Sequence, residues 1–324
     1  MTRTTRSQGF IVIALLALAG TAAAAEYPDR PIRLFVPFAA GSATDTSARI
    51  YAAQLSEQLG QQLVADNRPG AGGAIGMQMI AQSAPDGYSI GYAGAGPLSI
   101  NQSVTPNLPY NVEKDFSPVS QAVQAPLMMA SSMSLPAKTV KELVALARAK
   151  PGTLSNASAG TGTIGYLAGE YFKIMTNTRI LHVPYKGGGQ AAIDVIAGNV
   201  QFMFDPINGV SPHIKSGKLR GLGVTGPHRV AAFPNVPTVA EAGVPGYEVT
   251  TWGGIIAPAG VPKNIIARLN AEMQKAAKSR MVNERYAALG ADPVASTPEQ
   301  FAKFIRTETV KWADVVKRSQ AQVN

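Results

Sequence analysis

The chain has 324 residues, 46% of them apolar, and carries 29 Lys and Arg against 20 Asp and Glu, a formal charge of +9. The absence of cysteine excludes disulfides, thiol catalysis and thiolate metal ligands. The basic residues are scattered and form no cluster interleaved with aromatics, so no nucleic-acid footprint is present, whereas a positive field suits an anionic ligand.

Residues 1–25 read as an export signal. Arg3 and Arg6 form a basic start, residues 10–19 an apolar core too short to span a bilayer, and Ala23-Ala24-Ala25 a small-residue cleavage pattern, placing the mature start at Glu26. The remaining chain is long enough for two domains of roughly 150 residues each.

Apolar residues 32–38 read as a strand buried on both faces. A helix over 45–59 follows, capped by Thr44 or Asp45. Strands at 63–66 and 88–93 flank a helix around 75–82. This βαβαβ order predicts a parallel sheet covered by helices. Residues 94–99 then read as a loop whose amides face the same cleft. The pattern repeats with a strand at 127–130, a helix at 139–149 capped by Thr139 with Glu142 three residues on, and a strand at 154–157. A helix over 164–175 leads to strands at 180–183, 200–204 and 219–224, with another helix near 190–197. The proline-rich segment 225–246 reads as a connection with a short helix near Val239. Helical stripes at 265–276 and 301–316, the second after the cap Thr297 and Pro298, close the chain.

Two glycine- and hydroxyl-rich segments carry the chemistry. The first comprises Phe38, Ala39, Ala40, Gly41, Ser42, Ala43, Thr44 and Asp45; the second Ser158, Ala159, Gly160, Thr161, Gly162 and Thr163. Each lies between a strand and a helix, where glycine allows close backbone approach and free N–H groups attract anions. Gly160, Gly162 and Gly165 match the dinucleotide spacing, but the preceding strand is polar and Ile180, Leu181 and His182 stand where an acid is required. His182, His213 and His228 show no metal-ligand spacing, and no nucleophile elbow is present. Neither a cofactor, a metal nor catalysis is therefore expected. Asp205 ends an apolar strand, where it could face a ligand, cap the next helix or form an ion pair. Asp45 is open to the same two readings, cap or pocket acid. Gly94, Ala95, Tyr166 and Tyr185 complete the candidates.

The ordered series Val36-Pro37-Phe38 with Gly41 and Thr44-Asp45, Asn67-Arg68-Pro69-Gly70-Ala71-Gly72-Gly73, Pro85-Asp86-Gly87-Tyr88, Gly160 to Thr163, Val183-Pro184-Tyr185-Lys186-Gly187-Gly188, Phe204-Asp205 and Phe233-Pro234-Asn235-Val236-Pro237-Thr238 resembles the Bug family. These are substrate-binding components of tripartite tricarboxylate transporters. The resemblance implies an α/β, two-lobed periplasmic binding protein of the type II, Venus-flytrap kind, with lobes at 26–125 plus 249–324 and at 126–248. It implies a small carboxylate, aliphatic or aromatic, held between the first loop and the second through backbone amides and water. It further implies a monomer that delivers the ligand to membrane permease subunits, or presents it to a sensor kinase. The chain departs from the family in Ala40-Gly41-Ser42, where Pro-Gly-Gly is common, and in Tyr166, where histidine is common.

Expression with export should yield a protein whose intact mass begins at Glu26; a mass retaining residues 1–25 would show that the signal is not cleaved.

Overall fold

The computed structural model of the protein describes residues 27–105, 107–160, 163–185 and 187–319; the export signal read at 1–25 lies outside the described residues. In chain order the elements begin with β1 (Ile32–Val36), α1 (Ala43–Leu59), β2 (Leu63–Asn67), α2 (Ala74–Ala81), β3 (Ser89–Gly94), α3 (Asn101–Val104), α4 (Val112–Asp115) and β4 (Phe116–Ser132). They continue with α5 (Val140–Ala149), β5 (Ser155–Ser158), α6 (Ile164–Thr176), β6 (Leu181–Pro184), α7 (Gly188–Ala197), β7 (Phe202–Pro206), α8 (Ile207–Lys215) and β8 (Leu219–Val224). The last are β9 (Thr250–Pro258), α9 (Lys263–Lys278), α10 (Arg280–Ala288), β10 (Asp292–Pro293) and α11 (Pro298–Ser319).

The strands β2-β1-β3 run parallel, as the alternation of strands and helices requires. In the other half β7-β5-β6 are parallel too. Between them lies an antiparallel centre. Residues Phe116 to Pro126 of β4 pair with β9, which also pairs with β3; from Leu127 onward β4 pairs instead with β7 and β8. Sequence patterning finds only the end of β4, because Pro118, Gln121, Gln124 and Pro126 break the apolar run. Register shifts at Pro118/Ser120 and Gln121/Val123 accommodate the irregularity.

Three further expectations are corrected. Residues 96–100 form a π-helical turn that continues into α3, with the Ser99 hydroxyl donating to the Ala95 carbonyl at 2.7 Å. Near Val239 there are turns rather than a helix: its N–H donates to Val224 and Thr238 bridges the same residue, so the segment edges β8. Ser42, not Thr44 or Asp45, caps α1, its side chain accepting from the Asp45 N–H. The Thr139 cap of α5 and the Thr297–Gln300 pairing at the start of α11 form as expected.

One apolar core lies beneath α1, α9 and α10 and another beneath α7 and α8. A third runs unbroken across both halves of the sheet, from Phe35, Met77 and Phe301 to Phe172, Phe204 and Tyr247. The amphipathic α11 follows it. Its Trp312 is fully buried near Tyr171, whose ring stacks on Tyr247 at 5.4 Å. Glu308 Oε2 accepts from the indole N–H of Trp252 on β9 at 3.1 Å and from that of Trp312 at 2.9 Å; Oε1 pairs with Lys311 at 2.7 Å. A buried carboxylate with its acceptors filled in this way fixes the helix against the sheet. Among the described residues no helix is long and apolar enough to cross a membrane.

Glu308→Ala leaves two buried indole donors without a partner and should lower stability by about 2–4 kcal/mol in urea denaturation. Glu308→Gln, which keeps an acceptor oxygen, should lose less.

Candidate ligand-binding cavity

The first glycine-rich segment folds around one carboxylate. Gly41 adopts φ +78°, a conformation that favours glycine, and its N–H donates to Asp45 Oδ2 at 2.8 Å. Asn67 donates to Asp45 Oδ1 and to the Phe38 carbonyl, both at 2.9 Å. Arg49 pairs with Asp45 at 2.9 Å and donates to Asn67 at 3.0 Å. Burial opposes the charge of Asp45, but Arg49, the Gly41 N–H and the Asn67 amide outweigh it and hold the carboxyl below its ordinary range. Asp45 is therefore an internal knot of the loop, and the Gly41 N–H is taken up by it. The helix start still presents the N–H groups of Ala43 and Thr44, which precede the first intrahelical acceptor.

A cavity of about 290 Å³ opens against that helix start. Gly41, Ala43, Thr44 and Ser47 form one side; Pro206, Ile207 and Asn208, at the start of α8, form another. The Ncap position of α8 is Pro206, which offers no side-chain acceptor, so the first amides of this helix remain available. Val123, Ala125 and Pro126 of β4 and Thr251, Trp252 and Gly253 of β9 supply the floor, with Tyr92, Tyr286 and Gly290 beside it. The described lining contains no Lys, Arg, Asp or Glu. Two helix starts thus meet at an uncharged, partly aromatic pocket, and a site of this size fits a single ring or short chain.

The sequence-named residues divide. Gly41, Ala43, Thr44 and Gly94 line the cavity. Phe38, Ser42 and Asp45 build the loop beside it; Ala40 is an exposed loop residue, and Ala95 is buried at the start of the π-helical turn. Thr161, Gly162 and Lys186 lie outside the described residues. Ser158, Gly160, Thr163 and Tyr166 do not line this cavity. Their polar groups pair locally: Ser158 Oγ accepts from the Gly160 N–H at 3.2 Å and lies 2.7 Å from His182 Nε2, while Thr163 caps α6 and donates to the Gly160 carbonyl at 2.8 Å. The Tyr166 ring packs on His182 at 4.4 Å. Burial, together with Lys173, pushes His182 down to about 4. The Ser158–His182 pair is a structural tie, since Ser158 is fully buried. Gly165 completes the dinucleotide-like spacing for a packing reason: a Cβ there would overlap the Phe204 carbonyl.

Asp205 caps no helix and forms no ion pair among the described residues. Its carboxylate is wedged beside Gly188 of α7 and Gly209 of α8, with a Cβ at Gly188 standing only 2.8 Å from Oδ1. Burial raises its pKa to about 6. Sequence reading missed Tyr92, Asn208, Thr251, Trp252, Tyr286 and Gly290, which come from separate segments that share no local motif.

An α/β sheet in two halves, with paired helix starts facing an uncharged cavity, defines a two-lobed periplasmic solute-binding protein. The sequence matches the family described as tripartite tricarboxylate transporter family receptor over residues 47–320. BugT of Bordetella pertussis is 38% identical over 314 residues, 97% of this chain and 96% of that protein. The structure of R. palustris Rpa4515 with adipate is 34% identical with a TM-score of 0.77, covering 92% of this chain and 100% of that one. MatC of Rhodopseudomonas palustris with bound malate is 32% identical with a TM-score of 0.73, covering 90% and 100%. The chain belongs to the tripartite tricarboxylate transporter receptor family, which is a solute-binding rather than an enzymatic family.

Asp205 is protonated more readily in the folded chain than in the unfolded one, so stability falls as pH rises from about 4 to about 6 and the penalty is complete above that window. Asp205→Asn should therefore stabilise the ligand-free protein by about 3 kcal/mol at pH 7.5 and leave it nearly unchanged at pH 4, as read by urea midpoints.

Proposed function

We propose that the protein is exported, loses residues 1–25, and captures a small carboxylate, aliphatic or aromatic, for delivery to a membrane permease. The observation that carries this reading is the convergence of the α1 and α8 starts on a cavity whose described lining is uncharged. Backbone donors and helix dipoles can hold an anion in such a site without a fixed counter-charge, with water completing the hydrogen bonds. The adipate and malate held by Rpa4515 and MatC support a carboxylate.

The lobes of this reading are residues 26–125 with 249–324, and 126–248. The change of β4 partners at Pro126/Leu127 and the start of β9 at Thr250 support those limits. Ligand contacts to both lobes stabilise the closed arrangement, a hinge motion about the two crossing strands. In this reading the second glycine-rich segment belongs to the second lobe, although its described residues Ser158, Gly160 and Thr163, with Tyr166, stand outside the cavity.

A thermal-shift screen of aliphatic and aromatic carboxylates tests this. A binding carboxylate at a hundredfold excess over its dissociation constant should stabilise the protein by about 2.7 kcal/mol. If no carboxylate raises the melting temperature while another solute class does, the reading is wrong.

A further inference from the structure

Tyr92 stands on β3 with only 1% of its surface exposed, yet it lines the cavity and its hydroxyl has no hydrogen-bond partner among the described residues. A buried donor left unpaired is unfavourable, whereas a phenylalanine of the same shape would carry no such penalty. Gly253, on the neighbouring strand β9, leaves space for the edge of the Tyr92 ring as well as its hydroxyl: a Cβ there would stand 2.9 Å from both Cε1 and the oxygen. Ser47 and Tyr286 are its nearest polar neighbours, but neither side chain meets it in hydrogen-bond geometry, and the Tyr286 hydroxyl donates to the Ser47 carbonyl at 3.2 Å. Burial drives the Tyr92 phenol well above its ordinary pKa, so it stays protonated and remains a donor.

The two helix starts bracket the cavity and suit carboxylate groups; Tyr92 reaches it from the sheet. We infer that Tyr92 is a specificity-determining residue that donates a hydrogen bond to an uncharged oxygen on the body of the ligand, a hydroxyl or carbonyl. The ligand class is then an oxygenated carboxylate, preferred over its hydrocarbon counterpart. This rests on the carboxylate reading of the same cavity and adds to it the identity of the group that discriminates. A neutral donor that only an oxygen-bearing ligand satisfies rejects the analogue lacking it, because the donor then stays buried and unpaired.

The experiment is calorimetric titration of the mature protein and of Tyr92→Phe with paired probes, malate against succinate and 4-hydroxybenzoate against benzoate. For whichever pair binds, the wild type should favour the oxygenated member by roughly tenfold or more, and Tyr92→Phe should bind both members alike. The ligand-free variant should melt at the wild-type temperature or above it, since an unpaired hydroxyl has been removed. Three outcomes overturn the inference: an unchanged preference in Tyr92→Phe, an equal loss of affinity for both members, or a fall of several degrees in the ligand-free melting temperature, which would reveal a structural partner. If no carboxylate binds the wild type, the carboxylate reading itself fails and this inference with it.

Discussion

Residues Phe116 to Pro126 of β4 lie antiparallel to β9, and from Leu127 the same strand pairs with β7 and β8. A single strand thus belongs to both halves of the sheet, and its register determines how they face. With β4 and β9 fixed, the carboxyl ends of β1 and β7 arrive on opposite sides of Val123, Ala125 and Pro126, and the helices that follow them point their first amides into one space. Ligand sites beyond strand ends are general for open α/β sheets. Here the crossing strands also supply the floor, so a change in their register would displace floor and walls together.

Charge is used for building and kept out of the space it builds. Asp45 gathers Gly41, Arg49 and Asn67 into a knot behind the first helix start, and Glu308 gathers two tryptophans behind β9. Each of these two carboxylates is satisfied by hydrogen bonds where it is buried, whereas burial without such partners pushes Asp205 toward its neutral form. The cavity contrasts with this in presenting hydroxyls, amides and aromatic rings. A fixed cation there would bind an anion strongly but would itself require desolvation in the empty state; partial charges on preorganised amides avoid that penalty.

Much of this was legible in the sequence. The parallel strands, most helices and the first glycine-rich loop follow from local patterns, because each element signals itself within a few residues: the apolar run at β1, the cap and first-turn acid at α5, the proline opening α11. What was not legible depends on partners far away in the chain. The first part of β4 is a strand only because β9 supplies its ladder, despite Pro118 and Pro126. Gly165 resembles part of a nucleotide fingerprint until Phe204 is seen against it. The cap of α1 is Ser42 rather than Thr44 or Asp45, since the helix starts earlier than its apolar pattern does and leaves Asp45 as an internal acid of the first turn. Tyr92, Trp252 and Tyr286 meet at the cavity from three segments, and nothing in any one of them announces the others.

The core that runs unbroken beneath α11 makes the two faces of the molecule unequal. Parting the halves on that face would expose Trp312, Tyr247 and their neighbours to water, a large apolar area. On the face of α10, the halves meet at a slender contact in which Gly290 approaches Ile207 without a side chain between them. If the halves part as the proposed function requires, a swing that opens along Gly290 exposes less apolar surface than one that opens along α11. Gly290 sits there at φ +67°, a conformation that favours glycine, so a side chain at this position would strain the turn and crowd Ile207 at once.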